Sequence, residues 1–104
     1  RLDLNHLCVK RPAATYFLRV GGLSMINAGI FPDDLLVVDR SITAQAGDIV
    51  VASLNGEFTV KTLEFEPLML VPQNEDYHPI LITGSDDFEI FGVVTNVVRS
   101  LKRR

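Results

Sequence analysis

The sequence predicts a mostly β protein: a single compact barrel or sandwich domain with at most a short helical turn. Three observations predict it. Short β-branched and aromatic runs recur about every eight to twelve positions, separated by turn residues. The pair Asn55-Gly56 lies between two such runs, and a type I′ hairpin turn needs φ > 0 at both of its central residues. The chain has 104 residues, 47% hydrophobic and 22% charged, which suits one globular domain and is too apolar for a disordered chain.

The expected elements follow in order. Leu2 to Val9 has some apolar periodicity, and Pro12 ends it. Thr15 to Val20 is a β-branched and aromatic strand stopped by Gly21-Gly22. Ser24 to Gly29 fits a turn or so of helix, with Ser24 near its start and Gly29 as its stop. Leu35 to Val38 is a continuous apolar run after the turn signal Pro32-Asp33-Asp34. Asp48 to Ala52 follows Ala46-Gly47, and Phe58 to Phe65 follows the Asn-Gly turn. Leu68 to Val71, Ile80 to Ile82 and Phe88 to Val98 complete the set. Gly92 inside the last run predicts a bulge or bend. The domain is expected to cover residues 1–98, and the basic stretch 99–104 to be a solvated tail.

Composition excludes several function classes. Lys and Arg number 10 against 13 Asp and Glu, a net charge of −3. Direct nucleic-acid binding is not expected, because phosphate contacts need a basic patch. The single cysteine, Cys8, forms no internal disulfide and supports no multi-cysteine zinc site. His6 and His78 are too few for a His-rich metal site, so no metal and no cofactor is expected. No apolar run approaches the ~20 residues of a membrane span, and no signal-peptide pattern opens the chain. The reducing cytoplasm is the expected compartment. Arg1 stands where a methionine would start a chain, as expected of either a processed product or a trimmed chain.

Two places have residues that chemistry could use. Ser24, in Gly22-Leu23-Ser24-Met25, is a small polar nucleophile where a strand pattern stops. Glycine lets backbone approach a substrate closely, and a starting helical turn offers free N–H groups for a developing oxyanion. Spacing alone fits a helix N-cap better. Lys61 is the second. Period-two alternation sets it on one face with Leu63 and Phe65, and also with Glu57 and Thr59. A lysine on an apolar face tends to shed its proton and can then act as a general base. A snorkelling or edge-strand lysine is the plain alternative.

Other residues read as structural. His78 beside Pro79, and His6 near the start, are expected at the surface. Asp33-Asp34, Asp76 and Asp86-Asp87 read as turn residues, and Cys8 as a small buried hydrophobe. Gly21-Gly22 lacks the spacing of a phosphate loop.

Ser24 and Lys61 together are more specific than either alone. Tyr16 to Met25, Gly47 to Ala52 and Gly56 to Lys61 resemble the LexA/UmuD family of self-cleaving serine peptidases. The separation of 37 positions from Ser24 to Lys61 matches that family's serine–lysine dyad. Leu2 to Asn5, Pro12 to Phe17 and Phe91 to Thr95 are most similar to the branch that serves error-prone DNA polymerase V. The resemblance runs from Arg1 to about Val98. The family usually has a polar residue, often Asp or Glu, before the serine, where this chain has Leu23. Leu23 is not a dyad residue, and its effect is expected on the solvation of the cleft and the fit of the substrate segment.

The resemblance implies Ser24 as nucleophile, Lys61 as general base and the Ser24 backbone N–H as oxyanion donor, with Leu63, Phe58 and Val60 keeping the lysine dry. It implies self-cleavage at an Ala-Gly or Cys-Gly bond N-terminal to the domain. Ala28-Gly29 and Ala46-Gly47 fall at expected turns inside it and are not read as that bond. The implied partners are a second copy in a homodimer, a UmuC-type polymerase subunit, and the RecA filament on single-stranded DNA that stimulates cleavage. The implied role is SOS mutagenesis by translesion synthesis. The C-terminal dimerisation and autocleavage domain of a LexA-like repressor is the alternative. A pure interaction module, with Ser24 a cap and Lys61 a surface residue, is a third.

Overall fold

The computed structural model describes residues 3–102. Three short helical pieces and seven strands follow one another. Helix α1 (Leu4–Cys8) opens on Asp3, whose side chain accepts from the Asn5 N–H at 2.9 Å. A 3₁₀ turn at Pro12–Ala14 leads into β1 (Thr15–Arg19), and a second at Ile26–Ala28 precedes β2 (Leu35–Asp39). Then come β3 (Ile49–Leu54), β4 (Glu57–Glu64), β5 (Met69–Val71), β6 (Ile80–Leu81) and β7 (Phe88–Val98). The helical content therefore exceeds the single turn expected, because Asp3 caps a segment whose apolar periodicity spans barely one turn.

The strands pair antiparallel in the order β1-β2-β7-β3-β4-β5-β6. In a flat sheet β1 and β4 would lie four strand spacings apart, roughly 19 Å. Leu18 of β1 and Val60 of β4 nevertheless pack against one cluster with Met25, Ile30, Leu36, Val38 and Val51. The sheet therefore curls, giving the barrel-like enclosure expected from many short strands. Alternation sends Val50, Ala52, Leu63, Leu70 and Val93 into a second cluster on the other face.

Two local devices set this shape. Asn55 and Gly56 have φ of 51° and 88°, as the type I′ turn between β3 and β4 requires. The β3–β7 register slips between Val51 and Ala52, leaving Phe91 of β7 as the extra residue. The bend expected at Gly92 is thus a bulge at its neighbour, and at Gly92 itself β7 passes close to β2. A Cβ there would lie 2.7 Å from Val38 Cγ1 and 3.1 Å from the Asp39 carbonyl oxygen.

Arg99 differs from the expected solvated tail. Its guanidinium donates to both carboxylate oxygens of buried Asp34, at 2.6 and 2.7 Å, and to the Gly29 carbonyl at 2.8 Å. Asp34 also accepts from the Phe31 N–H at 2.8 Å, the turn role expected of it. These bonds hold its carboxyl below the usual carboxylate range, the Arg99 contact contributing most. Residues 103 and 104 lie outside the described residues.

Candidate active site

The inner face of the curled sheet opens into a cleft of about 710 Å³. Leu18, Val20, Met25, Val60, Tyr77 and Phe91 give it mostly apolar walls. Ser24 and Lys61 both line it, brought there from different elements by different local rules.

Ser24 sits in the turn between β1 and the second 3₁₀ piece, directly before buried Met25. Met25, not Ser24, occupies the N-cap position, and no side-chain cap bond forms. The cap role that spacing favoured is therefore absent. The turn closes instead through main-chain bonds from Ile26 N–H to the Leu23 carbonyl and from Ala28 N–H to the Met25 carbonyl. Gly29, at φ 81°, ends it as expected. Among the described residues, neither Ser24 Oγ nor the Ser24 N–H has a hydrogen-bond partner, so a hydroxyl and a main-chain donor stand together at the cleft.

Lys61 comes from β4, whose pairing explains its setting. β3 pairs with β4 from Glu57 to Thr62, whereas β5 pairs only with Thr62 to Glu64. Phe58 to Lys61 therefore form a free edge, and all four of these residues line the cleft. Half-buried Lys61 donates from Nζ to Thr59 Oγ1 at 2.5 Å. Burial pushes its ammonium below the usual lysine range, the direction that lets a lysine accept a proton near neutrality.

Its surroundings differ from expectation in one respect. Leu63 points into the second cluster and does not line the cleft, because strand pairing beyond Thr62 closes that side. Val60 packs against the inner cluster. Phe58, 68% exposed, forms the rim and stacks edge-on against Phe91 at 5.7 Å. Leu23 lines the mouth at 50% exposure.

The other sequence candidates lie elsewhere. His6 and His78 are exposed and outside the cleft, and Cys8 is buried. Ala28-Gly29 and Ala46-Gly47 lie at turns within the domain. No group of three or more metal-ligating side chains occurs among the described residues.

Sequence reasoning missed the loop after β5. The Gln73 N–H donates to the Ser24 carbonyl at 2.7 Å, and the Gln73 carbonyl accepts from Asn27 N–H at 2.8 Å. Asn74 Nδ2 donates to the Leu23 carbonyl at 3.0 Å, while its Oδ1 accepts from Asp76 N–H at 2.9 Å. The one local signal was the turn-forming string Asn74-Glu75-Asp76, which shows a turn and not what the turn touches.

Comparison with known proteins assigns the chain to a family. The model described as Peptidase S24-like matches residues 1–95. The chain belongs to that family. This is the group of self-cleaving serine peptidases that the sequence resembles, and its members among the relatives are substantially similar. Protein ImpA of Salmonella typhimurium is 48% identical over 97 residues, covering 93% of this chain and 67% of its own length. Protein MucA of Escherichia coli is 50% identical over 98 residues, covering 91% and 66%. The LexA repressor of Bordetella parapertussis is 42% identical over 87 residues, covering 82% and 40%. The Peptidase S24-like chain thus spans about two thirds of the length of ImpA and MucA. None of its described helices is long and apolar enough to cross a membrane.

Proposed function

We propose that this domain is a serine–lysine autopeptidase in which Ser24 is the nucleophile and Lys61 the general base. One observation carries the reading: in a Peptidase S24-like chain, a free serine hydroxyl and a desolvated lysine line the same apolar cleft. Neutral Lys61 takes the Ser24 hydroxyl proton as Oγ bonds to a peptide carbonyl carbon. The Ser24 N–H donates to the resulting oxyanion. The C–N bond then breaks, and the Lys61 ammonium returns the proton to the leaving amine. Water hydrolyses the Ser24 ester by the same route and regenerates both groups.

The bond cut lies N-terminal to the domain in the same chain, and its intramolecular cleavage shortens the protein. The cleaved form dimerises in the cytoplasm and serves a UmuC-type subunit as accessory to an error-prone translesion polymerase in the SOS response. A RecA filament on single-stranded DNA triggers cleavage. The net charge of −3 suits a domain that works through protein partners rather than on DNA directly. The LexA similarity favours a second reading, the autocleavage domain of a repressor, but its 40% coverage of that relative is lower than the 67% for ImpA.

The test is self-cleavage of the full-length protein, with and without Ser24→Ala, in the presence of RecA filament. Cleavage that the filament accelerates and Ser24→Ala abolishes is the expected result. A folded full-length protein that stays intact under all these conditions overturns the proposal.

A further inference from the structure

Ser24 and Lys61 belong to separate elements: one to an irregular turn, the other to the free edge of β4. Their neighbours Met25 and Val60 share the inner cluster, and a hydrogen-bonded loop ties the two elements further. Three of the contacts from the loop after β5 grip the serine turn: Gln73 N–H to the Ser24 carbonyl, Asn27 N–H to the Gln73 carbonyl, and Asn74 Nδ2 to the Leu23 carbonyl. A fourth contact leaves the turn. Gln73 Nε2 donates to Thr62 Oγ1 at 3.1 Å, and buried Thr62 directly follows Lys61 in β4.

We propose that Gln73 is a positioning residue: its main chain holds the Ser24 carbonyl, its side chain holds the strand that carries Lys61, and it thereby sets the spacing of the two groups. The inference rests on the Ser24–Lys61 reading above. The main-chain bond is independent of residue type, so the part that depends on glutamine is the side-chain bridge to Thr62. The main chain at Thr62 is paired on both sides, with Ile49 and Val71, so the bridge acts on side chains: removing the partner of a buried hydroxyl leaves it unsatisfied and lets the packing beside the base readjust. Catalysis between two groups brought together by folding depends steeply on their separation.

The test uses the full-length protein and compares wild type, Gln73→Met, Thr62→Val and the double variant, with Ser24→Ala as control. Gln73→Met keeps the length of the side chain and the main-chain bond but removes the donor. Thr62→Val removes the acceptor at constant shape. Self-cleavage is followed against pH, and thermal melts establish that each variant is folded at the assay temperature.

The expected result is a plateau rate about tenfold lower in each single variant, with the midpoint of the pH profile unmoved because Lys61 stays equally desolvated. The double variant should be no slower than the slower single, since both remove one bridge. A merely structural role would lower the melting temperature and leave the rate of the folded protein unchanged. If Gln73→Met does not fold, Thr62→Val breaks the same bridge and decides alone. Wild-type rates in folded Gln73→Met or Thr62→Val, or losses that simply add in the double variant, overturn the role of Gln73. Undiminished cleavage in Ser24→Ala overturns the underlying dyad instead.

Discussion

Lys61 Nζ donates to Thr59 Oγ1, two residues back on the same face of β4, at 2.5 Å. A hydroxyl can accept this bond from either the ammonium or the neutral amine, so it orients the side chain without demanding a charge. No carboxylate pairs with Lys61 among the described residues, and burial alone acts on its proton affinity, lowering it. That combination suits a base more than a structural cation.

Two consequences follow for pH. Self-cleavage should rise with pH and reach a plateau, with a midpoint below the ordinary lysine value of 10.5. The folded state also binds this proton less tightly than the unfolded chain, so its contribution to stability increases with pH between the depressed value and the ordinary one. Below the ordinary lysine value, burial of this side chain therefore costs the fold stability. Lys61→Met should abolish cleavage while raising the melting temperature at pH 7 by up to about 5 °C. Rate–pH profiles and calorimetry check the two halves separately, and a melting temperature lowered by Lys61→Met would contradict the second.

The Arg99–Asp34 pair gives the opposite pH dependence. Hydrogen bonds from Arg99 and Phe31 hold Asp34 ionised in the fold, so its stabilisation is present above the unfolded carboxylate value and is lost as pH falls through the depressed folded one. Arg99→Met should lower the melting temperature by several degrees at pH 7, because it leaves a buried carboxylate with the Phe31 N–H as its remaining donor. Melting wild type and Arg99→Met from pH 7 to pH 2 should bring the two curves together at the acid end. A constant gap would show that Arg99 acts by packing on Phe31, whose ring its guanidinium overlies at 4.6 Å.

These pairs show what was legible in the sequence. The strands were readable because each carries its own β-branched run and turn, and Asn55-Gly56 marked the β3–β4 hairpin directly. Ser24 and Lys61 stood out by residue type and spacing together. Arg99 did not, since a basic residue near a terminus reads as solvated until its partner 65 positions away is known. Gln73 was equally hidden: its bonds to Ser24 and Thr62 depend on how the β5–β6 loop folds back over the cleft, which no local pattern encodes. Leu63 was expected to keep the lysine dry, but it packs in the second cluster with Val50 and Leu70, a contact that only the folded sheet reveals.

Gly92 supplies a prediction about the sheet that shapes the cleft. The β7 bulge at Phe91 carries that ring to the cleft, where it meets Tyr16 edge-on at 5.2 Å and Phe58 at 5.7 Å. Immediately after the bulge, β7 presses against β2 so closely that a methyl group on Gly92 would sit 2.7 Å from Val38 Cγ1. Val38 is fully buried in the inner cluster with Met25 and Val51, so it has little room to turn away. Its backbone neighbour, the Asp39 carbonyl oxygen at 3.1 Å, limits the escape on the other side. Gly92→Ala should therefore destabilise the domain by about 1–3 kcal/mol, the ordinary cost of overpacking a dense core, although alanine is better than glycine in the unfolded-state balance. Urea denaturation measures it as a lower midpoint at unchanged slope. The compensating variant is Val38→Ala, which removes the clashing methyl. The pair Gly92→Ala/Val38→Ala should be less destabilised than the sum of the two single variants, and strict additivity would mean that the strand shifts as a whole instead.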